Sequence, residues 1–154
     1  MKIPLEHYLA GEALYNQTVA PVCEAFGLTY MEFTVILFLA NNPQYQTATQ
    51  IVQVRRLTKS HVSLAVGRLQ ERGLLRGTHH EGDRRTIYLE VTEAAAEIVR
   101  QGRQAQADFQ QSLFVGFTEE EEILLGQYMA RIDQNIERRM NQLKKERNTK
   151  HGTK

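Results

Sequence analysis

Six side chains in one short stretch have the types and spacing to touch a nucleic acid. Lys59, Ser60, His61, Ser63, Leu64 and Arg68 fall on one side of a helix whose other stripe is Val62, Val66 and Leu69. Lys59 and His61 can donate to guanine O6 and N7, and Ser60 and Ser63 can pair with bases or phosphates. Arg68, further along, suits a phosphate, and Leu64 a thymine methyl. Downstream stands Asp83-Arg84-Arg85: a carboxylate able to brace one guanidinium across a turn, with an extended arginine able to enter a minor groove.

Charge distribution agrees. The net charge is only +1, yet between Arg55 and Arg85 eight arginines and lysines stand against three carboxylates. Acidic segments flank this island, and a second basic block runs from Glu137 to Lys154. A local basic surface in an acidic frame suits phosphate binding; a solvated, salt-bridged face has the same composition.

The elements that must position these residues follow from periodicity. Leu5 to Phe26 reads as a helix closed by Gly27. Thr29 precedes a helix apolar on several sides, ended by Asn41-Asn42-Pro43 and expected to be buried centrally. Thr47 and Gln50 have capping-box spacing and open a short helix with Ile51 and Val54 inward. Thr58 caps the next helix, which Gly73 ends. Two short helices joined by a tight turn form a helix-turn-helix. Leu74–His79 and Arg85–Val91 read as strands around the tip Glu81-Gly82-Asp83-Arg84, with Ile87, Leu89 and Val91 alternating as in a half-buried strand. A hairpin this small must pack on neighbouring helices, and after a helix-turn-helix it is a wing.

Thr92-Glu93 opens a Gln-rich helix to about Leu113. Thr118 and Glu121 open the last, with a stripe of Ile123, Leu124, Tyr128, Ile132, Ile136, Met140 and Leu143. Beyond Lys144 no apolar residue remains, which predicts a mobile tail, taken as 148–154. The chain thus reads as one mostly α domain: a winged helix-turn-helix over 29–92, flanked by helices over 1–28 and 93–147. Those flanking stripes predict an obligate homodimer; a monomer with its helices folded back is the alternative.

Other chemistry finds little footing. A lone Cys23 with no resolving partner reads as a buried structural thiol in a reducing cytoplasm. His79, His80, Glu81 and Asp83 are potential metal ligands, but adjacent strand histidines point to opposite faces, so no metal is expected. No phosphate loop, nucleophile elbow or metalloprotease motif appears, so neither an enzyme nor a cofactor is expected. No apolar run approaches the roughly 20 residues of a membrane span, and Glu6, His7 and Glu12 interrupt the first residues as a signal or anchor. The chain is expected to be soluble and cytoplasmic.

From about Thr29 to Ala95 the sequence resembles the MarR family of transcriptional regulators. The most specific part is LTKSHVSLAVGRLQERGLLR, then DRR and IYLEVT, in the family's order of recognition helix, glycine, strand, wing and strand. The family's wing aspartate and arginine fall on Asp83 and Arg85. Two departures stand out: many members carry arginine where this chain has Leu64, and the usual Leu-Thr-x-x-Gly appears as Val91-Thr92-Glu93-Ala94-Ala95. The resemblance implies a homodimer joined by its terminal helices and bound to a pseudo-palindromic operator in double-stranded DNA. It also implies a repressor released by a small-molecule effector, whose pocket would draw on Tyr8, Glu12, Tyr15, Phe33 and Phe38. A winged-helix module that docks proteins, with no specific DNA binding, is the other reading of the same elements.

Overall fold

In a computed structural model, residues 5–151 are described, with side chains for 9–83 and 85–147. The chain divides into two compact units between Ser112 and Leu113.

The first unit is organised around α2 (Tyr30–Asn41). Thr29 and Glu32 close a reciprocal capping box: Thr29 N donates to Glu32 Oε2 at 2.7 Å, and Glu32 N to Thr29 Oγ1 at 3.2 Å. That bond gives the buried Glu32 carboxylate a partner. From Glu32 to Leu39 every residue of α2 is buried, so the helix offers contact surface on all sides. α1 (Leu5–Phe26) inserts Val19, Val22 and Cys23, and α5 (Ala96–Leu113) inserts Ile98, Val99 and Ala105. The α5–α2 approach is close at Gly102, where a Cβ would lie 2.8 Å from Leu37 Cδ2 and 2.9 Å from Phe33 Cε2. Arg103 then caps α2, donating to Ala40 O and Asn41 Oδ1. The flanking helices α1 and α5 therefore bury part of their stripes inside their own chain, because an all-round apolar α2 can receive them.

α3 (Ala48–Arg55) starts at the anticipated box, Gln50 N donating to Thr47 Oγ1 and Thr47 N to Gln50 Oε1. Ile51 is fully buried, but Val54 is 45% exposed and Val52 takes the inner place. In so short a helix the core stripe is Ala48, Ile51 and Val52. The turn to α4 (Lys59–Glu71) puts Arg56 in the left-handed region, φ 52°. Thr58 precedes α4 without a side-chain capping bond.

β1 (Leu75–His80) and β2 (Asp83–Val91) form an antiparallel hairpin around Glu81-Gly82, with Leu75 opposite Val91 and Gly77 opposite Leu89. The hairpin is anchored as its size requires. Leu89 N donates to Gln46 O, Thr92 N to Leu74 O and Thr92 Oγ1 to Gly73 O. Leu75 and Leu89 face the core, while Ile87 is 52% exposed rather than half-buried. A short 3₁₀ turn, Glu93–Ala95, leads into α5.

The second unit is built on α6 (Glu119–His151), opened by the expected Thr118–Glu121 box under four glutamates that complement the helix dipole. Its stripe from Ile123 to Leu143 is open, every named member being at least 36% exposed. The helix passes Lys144 and continues to His151: Lys, Arg and Glu are good helix formers and need no core to propagate. Residues 152–154 of the anticipated tail lie outside the described residues. Among the described residues no single helix is long and apolar enough to cross a membrane.

Candidate nucleic-acid interface

α4 is amphipathic in the required sense. Val62, Ala65, Val66 and Leu69 are buried, and Lys59, Ser60, His61, Ser63, Leu64 and Arg68 are exposed. Its first turn holds no acidic residue, so the positive end of the helix dipole is left uncompensated. α2 and α3 support the inner face and leave the polar face to solvent.

The basic island is less uniform than its composition suggests. Arg72 donates to Phe26 O at 2.7 Å and Gly27 O at 3.0 Å, capping carbonyls at the end of α1. Arg76 pairs across the hairpin with Glu90 Oε2 at 2.6 Å. Arg55, Arg56, Lys59, Arg68 and Arg85 remain exposed, and no ion pair among the described residues holds any of them. Sequence inspection lists Arg72 and Arg76 with the others because their partners lie 45 or 46 and 14 residues away.

At the wing, Asp83 acts differently from its expected role. Its Oδ1 accepts the Arg85 and Thr86 amides, each at 3.0 Å, and its Oδ2 accepts the Tyr88 hydroxyl at 3.4 Å. Hydrogen bonds from the Thr86 side chain, then its amide, and from Arg85 and Tyr88 hold the carboxyl below its ordinary range. The aspartate braces the backbone that presents Arg85 and forms no ion pair with its guanidinium, which stays exposed. The other expected partner, Arg84, has its side chain outside the described residues. His80 stacks on Tyr88 at 3.6 Å and His79 Nδ1 meets Thr86 O at 3.0 Å, so both histidines are occupied in the wing. Among the described residues no group of three or more His, Cys, Asp or Glu is placed to hold a metal.

Of the five effector-pocket candidates, four have described side chains. Tyr8 has its side chain outside the described residues, and Glu12 is exposed. Tyr15 accepts a hydrogen bond from Gln106 Nε2 and meets Tyr30 and Phe109 edge-on. Phe33 is fully buried against α5, and Phe38 is buried and stacked on Tyr45. Aromatics at helical spacing here build core. Two concavities of the first unit, each of about 520 Å³, are lined by other residues. One is lined by Ala40, Val91, Val99, Arg100 and Arg103; the other, between α1 and α2, by Val19, Cys23, Leu28 and Tyr30. Burial pushes the Cys23 thiol pKa up, which keeps it protonated.

A MarR family model matches residues 26–86, from the end of α1 through α2 and the helix-turn-helix into the second strand of the wing. Over that segment the chain matches the MarR family. It is similar to the HTH-type transcriptional regulator PecS of Dickeya dadantii, 22% identical over 80% of this chain and 75% of that protein. Among solved structures it resembles a MarR-family regulator of Listeria monocytogenes complexed with a 26mer DNA: TM-score 0.77, 19% identity, 88% of this chain and 90% of that one. It also resembles Bordetella bronchiseptica BpsR, whose DNA binding is regulated by 6-hydroxynicotinic acid. That match has a TM-score of 0.62 and 21% identity, over 82% of this chain and 86% of that one.

Proposed function

We propose that this protein is a MarR-family transcriptional regulator: a sequence-specific, homodimeric binder of double-stranded DNA, and a repressor released by a small-molecule effector. The observation that carries the reading is an α4 face exposed from Lys59 to Arg68 with no acid in its first turn, accompanied by a wing whose Arg85 has no ion-pair partner among the described residues. Lys59, Ser60, His61, Ser63 and Leu64 enter the major groove, Arg68 meets a phosphate, and Arg84 and Arg85 reach the minor groove while Asp83 holds the tip.

Two copies join through α6. Its open apolar stripe supports this, as does Gly126, a helix-interior glycine with no atom within 4 Å of a built Cβ, where a partner helix can approach. The winged helix-turn-helix over 29–92 is then presented twice, with recognition helices about 34 Å apart on a pseudo-palindromic operator. An effector that prefers the DNA-incompetent spacing by about 1–3 kcal/mol changes affinity roughly 5- to 150-fold; the cavity between α1 and α2 is large enough to hold one. The working compartment is the cytoplasm.

A gel-shift titration against the DNA upstream of its own coding region, with sedimentation of the free protein, tests this. A retarded species at low salt and a sedimenting dimer are expected. Absence of any duplex binding at low salt would replace the reading by a protein-docking module.

A further inference from the structure

Leu64 stands out on α4. It is 55% exposed and is the only large apolar side chain on a face otherwise made of polar and small residues. Helical spacing places Ser60 and Gly67, four and three residues away, beside it, with Ser63 next to it in sequence, so it projects from a shallow floor. Gly67 has no reason within the chain to be glycine. Its φ is not positive, and a Cβ built on it meets nothing within 4 Å. Alanine would fit that space and favour the helix. A mid-helix glycine with no internal contact, beside a leucine exposed to water, marks a surface that something outside the chain can approach closely.

On the reading of α4 as the DNA-entering helix, on which this inference rests, we propose that Leu64 is the thymine-reading residue. Its isobutyl group packs on C5-methyl groups in the major groove, and Gly67 lets the helix axis sit deep enough for that contact. The chemistry fits: thymine alone among the four bases carries a methyl on the major-groove edge. An exposed leucine has no hydrogen bond to offer, so its contribution to sequence choice must come from apolar contact. The polar neighbours Ser60 and Ser63 then read adjacent edges or phosphates.

The test begins with selection of duplexes from a random pool by the full-length wild-type protein. The enriched duplex is resynthesised with deoxyuridine replacing thymidine one position at a time, which removes only the methyl. Binding about fourfold weaker is expected at one or two positions in each half-site, the worth of one buried carbon. Leu64→Ala, whose side chain lies outside the core, should bind the thymidine and deoxyuridine duplexes equally. Gly67→Ala should weaken binding to the selected duplex without lowering the thermal midpoint. Indifference to deoxyuridine at every position, or thymidine preference surviving in Leu64→Ala, would overturn the assignment while leaving DNA binding intact. Failure of the pool to enrich any duplex would overturn the DNA reading itself, and this assignment with it.

Discussion

Replacing Arg72 by alanine separates the arginines that hold the fold from those that face DNA. Arg72 sits in the basic island, yet its guanidinium donates to Phe26 O at 2.7 Å and Gly27 O at 3.0 Å. An exposed charge-assisted bond contributes about 0.5–1 kcal/mol, below the roughly 1.5–3 kcal/mol usual for bonds to charged groups, because water competes for both groups. Two bonds, to carbonyls at a helix end with few other partners, give about 1.5 kcal/mol. In a chain of this size that lowers Tm by about 3–6 °C. Arg72→Lys should recover only part, since an ammonium cannot span both oxygens in a planar fork. Calorimetry at one fixed protein concentration reads the stability, and fluorescence anisotropy over a salt series reads DNA affinity. Arg72→Ala should lose stability with an unchanged salt slope. Arg68→Ala should keep its Tm and flatten the slope by about two for a dimer, one phosphate contact from each subunit. A flattened slope with unaltered Tm in Arg72→Ala would refute this division of labour.

Other consequences follow from the same contacts. Gly102→Ala should cost about 1 kcal/mol in urea unfolding, because its Cβ meets Leu37 and the fully buried Phe33 at 2.8–2.9 Å and better helix propensity offsets only part; a gain in stability would show that α5 is not seated on α2. The Asp83 carboxyl has a folded pKa lowered by Thr86, Arg85 and Tyr88. Its bracing is therefore complete above its unfolded pKa of about 4 and is lost as pH falls through the lower folded value. Amide exchange at Arg85 and Thr86 should accelerate only in that acidic window, and an onset near neutrality would contradict the assignment. Cys23, 8% exposed with its pKa raised by burial, should react with a thiol reagent far more slowly in the native protein than in denaturant; equal rates would mean that α1 is not docked as described.

Much of this was legible in local pattern. The bounds of α1, the Thr47–Gln50 and Thr118–Glu121 boxes, the inward Val62, Val66 and Leu69, and the two-strand wing all follow from spacing and turn chemistry, and each is present. What local pattern does not encode is which distant group a side chain meets. Arg72 and Arg76 count as surface charge until Phe26, Gly27 and Glu90 are brought beside them. Asp83 stands next to two arginines in sequence, yet a tight turn brings the Arg85 and Thr86 amides to it first. Phe33 and Phe38 have the spacing of a pocket wall and are core because α2 is covered on every side. Val54 and Ile87 fit apolar periodicities but lie where the short α3 and the hairpin run past the edge of the core.

The central claim is that the exposed α4 face and the Arg85 tip together hold duplex DNA, and the salt dependence of binding tests it most directly. Affinity for a selected duplex should fall by about 10³-fold or more between 50 and 200 mM salt, as expected for about six phosphate contacts per dimer, and Arg85→Ala should bind measurably more weakly at every salt concentration. Binding that is insensitive to salt, or unchanged when Arg85 is removed, would contradict the account.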